Sequence, residues 1–261
     1  MDWLLNLSIP AMILVVLALV YLVTAVIYLI VTRLATGERT RVFKAISPGM
    51  LPPMSVVFAL LIAFLASQVW SDSDRASAAV NREASALRAV VLLSDQFPGQ
   101  PDTQMRGLIR QHIQTAVRDE WPAMARHGVT LSIMPGALAQ ALKLALSLDP
   151  HTPGQNIAQR EMVTALQTAL DARRQRIVLS GSSVNVVKWG AVLVQAALML
   201  IAIALVHCDS PATNRLILGL FAAAVAAAIV LVAANSRPFS GAISVKPTLL
   251  LQVMPEADGG T

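Results

Sequence analysis

Residues 52–70 read PPMSVVFALLIAFLASQVW. Two prolines open the run, no charge interrupts it, and Gln68, Val69 and Trp70 close it. A helix on the surface of a soluble protein carries one polar face, and this stretch has none. Taken over residues 50–71 it is long enough to cross a hydrocarbon core of ~30 Å. Three other runs are equally free of charge: residues 9–32, 189–206 and 216–236. Lipid offers the backbone no hydrogen bonds, so each must be helical where it crosses.

The fold class expected is therefore an all-α integral membrane protein. It has four transmembrane helices, with a helical soluble block between the second and third spans. Composition agrees: 56% of the 261 residues are hydrophobic and 13% charged, against about 25% charged in a soluble domain. The first run does not read as a cleaved signal. Its leader MDWLLNLS carries Asp2 and no Lys or Arg, its apolar core exceeds a signal's length, and no A-x-A-like site follows. It is expected to stay in the mature protein.

Four segments follow. Residues 1–71 form a transmembrane hairpin with spans at 9–32 and 50–71, and 72–183 the extramembrane block. Residues 184–236 form a second hairpin with spans at 189–206 and 216–236, and 237–261 a tail. Within the block, Val80, Ala84, Leu87 and Val91 fall at helical spacing. So do Met105, Ile109, Ile113, Ala116 and Met124, and then Val163, Leu166, Leu170 and Ile177. FPGQPD at 97–102 and DPHTPG at 149–154 read as turns. Residues 137–148 are apolar almost all round, which predicts a buried short helix. VKPTLLLQV at 245–253 reads as extended, because Pro247 opposes a clean helix, and EADGGT as a frayed end.

The net charge is +5, yet the block is nearly balanced, with 12 Lys/Arg against 10 Asp/Glu. That excludes a nucleic-acid partner as the natural reading. The dense basic run is membrane-proximal: Arg33, Arg39, Arg41 and Lys44, with Glu38 the only acid. Beside a span, such a cluster is expected to meet anionic lipid headgroups. It also favours a cytoplasmic position for its own loop. Arg75, Arg82, Arg173, Arg174, Arg176, Lys188, Arg237 and Lys246 crowd the other face, so the sequence leaves orientation open.

Little points to catalysis. Cys208 stands alone, and His112, His127, His151 and His207 are scattered with no metal-ligand spacing. No phosphate-binding or nucleophile motif occurs. No catalytic residue, metal or cofactor is expected. Gln68 and Gln195 lie within spans, where amides bond between helices or face water. The alanine-rich last span is expected to pack closely on a neighbour. Asp72 and Asp74, just past Trp70, read first as a pair capping a new helix. Their second reading is an acidic collar at a pore mouth. Val56, Leu60 and Phe64 fall at i, i+4 and i+8 on one helix face, which would suit lipid, another helix or a pore. Pro52 and Pro53 can break the helix above them and free its carbonyls.

The segment PPMSVVFALLIAFLASQVWSDSDR resembles the second span of bacterial bestrophins. SRPFSG at 236–241 resembles the Pro-Phe-Gly element that follows their last span. Closer still is the resemblance to a bacterial family of bestrophin-like membrane proteins. It rests on Phe58, Phe64, Trp70, Glu83-Ala84, Glu120-Trp121-Pro122, ARRQR at 172–176, Trp189 and Pro238-Phe239-Ser240-Gly241. The resemblance implies a pentameric ion channel of the bacterial inner membrane, a homo-oligomer with five copies of span two around its axis. Val56, Leu60 and Phe64 would then form an apolar neck, with Ser55 adding a ring of hydroxyls. It also implies a cytoplasmic soluble block, which the basic loop does not support. After Gly241 no acid occurs until Glu256, so no calcium clasp is expected in this tail. The alternative is a non-conducting scaffold whose block at 72–183 binds a partner protein. A small-solute transporter would need a polar site inside the spans, which is missing.

Overall fold

The structure, a computed structural model, describes residues 8–35, 40, 42–43, 48–126, 131, 135–241 and 243–256. Asp2, Glu38, Arg39, Arg41, Lys44, His127 and the last five residues lie outside this set. The described chain is helical, and four helices are long and apolar enough to span a membrane. They are α1 (Ile9–Leu34), α2 (Leu51–Ser94), α7 (Val186–Val206) and α8 (Pro211–Ala234). Between α2 and α7 come α3 (Gln100–Thr115), a π-helical turn over Ala116–Glu120, α4 (Trp121–Ala125), α5 (Gly136–Ser147) and α6 (Pro153–Ser180). A short α9 (Thr248–Gln252) follows in the tail.

The chain divides into two compact units. The first holds α1, α2 as far as Ser71, α7 and α8. Its core joins Met12 and Val16 of α1, Leu65 and Val69 of α2, Trp189, Val192 and Ala196 of α7, and Val225, Ala226 and Ile229 of α8. Ala222, Ala226 and Ala233 present no bulk on α8, and that helix packs most extensively against α1. Polar ties hold the bundle where lipid supplies none. Tyr21 donates from its hydroxyl to the Gly219 carbonyl (3.0 Å), and Asn214 from Nδ2 to the Ala204 carbonyl (3.2 Å). Gln195 Nε2 reaches the Met54 carbonyl at 3.3 Å, and Lys188 Nζ donates to Gln68 Oε1. Both span amides thus bond between helices. Pro52 and Pro53 do not break the helix, because they sit in its first turn, where the missing N–H groups have no partner to lose.

The second unit is built from Asp72–Ser182 with Pro238–Ser240 and the tail from Ser244. Its core takes Val80, Leu87 and Val90 from α2, Met105, Ile109 and Ile113 from α3, Met162, Leu166 and Ile177 from α6, and Leu250 from α9. Gly99 turns the chain between α2 and α3 with φ of +92°, a conformation that favours glycine. Thr152 caps α6, its hydroxyl accepting from the Gln155 amide at 3.1 Å.

Four further expectations need correction. Asp72 and Asp74 cap nothing, because α2 runs unbroken through both to Ser94 and offers no N-terminus there. Residues 248–252 are helical, not extended: Pro247 precedes the helix and so costs it no hydrogen bond. The helix α5 buries only Leu138, Ala141 and Ala145 and leaves Leu146 exposed, so it is amphipathic. Along α6 the fully buried line is Met162–Leu166–Ala169, then Arg173 and Arg176. Val163 and Leu170 are half-buried flanks, because an apolar count passes over two buried arginines.

Candidate functional site

From Leu65 onward one face of α2 is buried, by Leu65, Val69, Ala76, Val80, Glu83, Leu87 and Val90. The opposite face is open. It carries Val56, Leu60 and Phe64, which are 58, 51 and 71% exposed. These three make a continuous apolar line on the least buried of the four spans. Only 11% of its most apolar window is buried, against 39% in α7 and α8. The chain's own helices therefore leave most of this span's surface uncovered. Ser55 is exposed too, but five residues before Leu60 it lies about 140° round the helix. Its hydroxyl is already spent on the Leu51 carbonyl at 2.9 Å. Asp72 lies 3.9 Å from Arg75 one turn on, whereas Asp74 is exposed.

A second cluster lies in the soluble unit, buried at Glu83, His112, Arg173 and Arg176 and partly buried at Glu120. Glu83 and Arg176 are both 0% exposed. Arg176 donates from Nε to Glu83 Oε2 (2.8 Å), and from Nη2 to Glu83 Oε1 (3.1 Å) and Glu120 Oε2 (2.8 Å). Arg173 donates from Nε and Nη2 to Glu120 Oε1, at 2.8 and 2.6 Å. His112 bonds from Nε2 to Glu83 Oε1 at 2.9 Å. Two carboxylates thus balance two guanidinium groups, which lets four charges leave water together. Local structure aims them. Glu83 sits on the buried face of α2, Arg173 and Arg176 three apart on α6, and Glu120 on the π turn, whose extra residue resets the helix phase.

Trp121 covers this network. Its ring lies 4.7 Å from the Arg176 guanidinium carbon. Phe239 meets that ring edge-on at 5.7 Å and 84°. Its indole N–H donates to the Val245 carbonyl at 3.1 Å, so one side chain joins the network to the tail segment. Replacing it by phenylalanine keeps a ring over Arg176 but loses that bond and part of the indole's bulk, a loss of about 1–2 kcal/mol. Replacing it by alanine opens a cavity and costs about 3–5 kcal/mol. Thermal unfolding of the two variants checks the ratio.

The charges set a pH window. Burial alone would push the Glu83 carboxyl up, but the Arg176 charge and hydrogen bonds from His112 and Arg176 outweigh it and hold the group below its ordinary value. Glu120 is held low likewise, against its own burial, by Arg176 and Arg173. Carboxyls depressed in the folded state stabilise it fully above the unfolded value, ~4.3 for Glu, and lose that stabilisation as pH falls through the folded value. Thermal stability contributed by this pair should stay flat from neutral pH to about 5 and decline below about 4. Glu83→Gln should flatten that acid limb.

Six of the residues that carried the family resemblance thus meet in one place, Glu83, Glu120, Trp121, Arg173, Arg176 and Phe239, whereas Phe58, Phe64, Trp70 and Trp189 lie outside this cluster. The Bestrophin-like domain model matches residues 18–250. The chain belongs to the bestrophin-like family. Its fold agrees with solved structures of that kind. A single-site variant of a bacterial bestrophin homologue from Klebsiella pneumoniae is similar at 13% identity and a TM-score of 0.71, over 95% of this chain and 96% of that one. A second structure of a bacterial bestrophin homologue from that organism gives 13% identity and a TM-score of 0.69, over 93% and 96%. A variant of a structure named only as a membrane protein gives 15% and 0.68, over 93% and 96%. At such identities the likeness is one of fold. No curated protein matches the chain.

Reading along the sequence missed His112. It was grouped with the scattered histidines, although it falls beside Ile109 and Ile113 on the buried stripe of α3. That stripe was the available signal. The bestrophin-like motifs were legible one by one, and their convergence on Arg176 was not.

Proposed function

We propose that the chain assembles into a closed pentamer in which five copies of α2 line an ion pathway. Val56, Leu60 and Phe64 form its apolar neck. The observation that carries this reading is the unbroken apolar line on a span that packs little within its own chain. Membership of the bestrophin-like family supports it. Five such lines facing an axis make a narrow apolar constriction, which gates by expelling water. The Glu83–Arg176–Glu120 network holds the soluble unit together. The placement is the bacterial inner membrane, with anionic lipids meeting the basic loop from Arg33 to Lys44, of which Arg33 is an exposed end of α1.

The test is planar-bilayer recording of the purified protein. Discrete currents altered by Val56→Ala and Leu60→Ala support the pathway. A protein that folds, assembles and carries no current contradicts it, and capture of a partner protein by the soluble unit becomes the better reading.

A further inference from the structure

The soluble unit holds a cavity of about 160 Å³ whose lining falls wholly within that unit. It has room for about five waters at ~30 Å³ each, or for one small ion or polar group. Four elements meet there. The helix α3 brings His112, Gln111 and Thr115, the π turn Glu120, α6 Arg173, and α5 its first turn from Gly136.

The wall carries hydrogen-bond donors that the fold leaves unused. No side chain caps α5 at Pro135, and among the described residues the amides of Gly136 and Ala137 have no partner. Such N–H groups end a helix with positive partial charge. His112 is an independent sign of a ligand. It is 3% exposed and lines the cavity. Its Nε2 lies 2.9 Å from Glu83 Oε1, and a carboxylate only accepts, so Nε2 carries the hydrogen. The other ring nitrogen, Nδ1, has no partner among the described residues. A buried polar atom normally has one. Thr115 and Gln111, both exposed, add a hydroxyl and an amide to the same wall.

The charges suit an anion. Glu120 alone would repel one, but both its oxygens are engaged, Oε1 by Arg173 and Oε2 by Arg176. With Glu83, two carboxylates face two guanidinium groups and cancel. The end of α5 then adds positive partial charge, and a proton on His112 Nδ1 adds a full one. We propose that this cavity binds a small oxyanion, the phosphate or carboxylate group of a metabolite. The first-turn amides of α5, His112 Nδ1 and the Thr115 hydroxyl hold it, and it ties α5 to α3. The site stands or falls independently of the pore.

The experiment is isothermal titration calorimetry of the detergent-purified full chain, with sodium sulfate and sodium acetate as probes at constant ionic strength. Calorimetry is chosen over melting because sulfate stabilises folded proteins generally, by exclusion from their surfaces. Saturable binding at one site per chain is expected. Tighter binding of sulfate assigns a phosphate-like group, and tighter binding of acetate a carboxylate. Gly136→Pro removes one amide hydrogen at the first position of α5, where proline suits a helix and an added Cβ meets nothing within 4 Å. It should weaken binding on the order of tenfold. Thr115→Val should weaken it on the order of threefold. His112→Gln, which keeps a donor for Glu83 and loses Nδ1, should weaken it as well. No saturable heat with either probe, or binding that ignores both Gly136→Pro and Thr115→Val, overturns the inference.

Discussion

Replacing Leu60 by alanine should raise the conductance of the reconstituted protein by about tenfold, equivalent to lowering the barrier at the neck by ~1.4 kcal/mol. Leu60 is 51% exposed in the protomer, so truncation removes little packing and should cost the fold little. In a five-fold ring the same change acts five times at one level. It widens the constriction and shrinks the apolar surface that keeps water out. Val56→Ala should act in the same direction with a smaller effect, because it removes less of the side chain. Leu60→Ser is the stronger version, since a hydroxyl also lowers the cost of wetting. Single-channel recording checks all three. An intact ring whose conductance ignores Leu60 places the narrow point elsewhere.

Arg176→Met should be among the most destabilising single changes in the soluble unit, on a par with Trp121→Ala. The guanidinium donates to both carboxyl oxygens of Glu83 and to Glu120, and its Nη1 lies 3.5 Å from the Met124 sulfur. Without it, Glu83 stays fully buried with His112 as its remaining partner. Breaking a buried pair from one side costs about 3–5 kcal/mol, a fall in melting temperature of roughly 10 °C or more for a unit of this kind. Arg176→Lys keeps the charge but not the planar fork, so it should lie in between. Adding Glu83→Gln to Arg176→Met should restore part of the loss, because the orphaned charge goes with its partner. Melting in detergent, with and without the second change, measures the coupling. If Arg176→Met melts like the wild type, the network does not hold the unit together.

The four spans were plain in the sequence because a charge-free run of twenty residues has one physical outcome in lipid. The stripes of α2 and α3 were plain for a related reason: each buries one apolar face. The continuity of α2 was harder to see. Two aspartates after a tryptophan look like a capping boundary, and only the steady register of Leu65, Val69, Ala76, Val80, Leu87 and Val90 shows that one helix carries through them. The buried network was harder again. Glu83 and Arg176 are 93 residues apart, and no local period encodes that meeting. Burial of a charge runs against every apolar count, so the α6 stripe has Leu166 and Ile177 on the inner line but takes the half-buried Val163 and Leu170 in place of Met162 and Ala169. The short tail helix is hidden in the sequence because Pro247 looks like a barrier, although it stands at the helix start.

The arrangement of α2 around a central axis is best tested by the mass of the assembly. Native mass spectrometry of the detergent-purified protein, checked by electron-microscopy class averages, should show five chains in a closed five-fold ring. A monomer or a two-fold dimer that persists across mild detergents would leave α2 no axis to line, and the pore reading would fall.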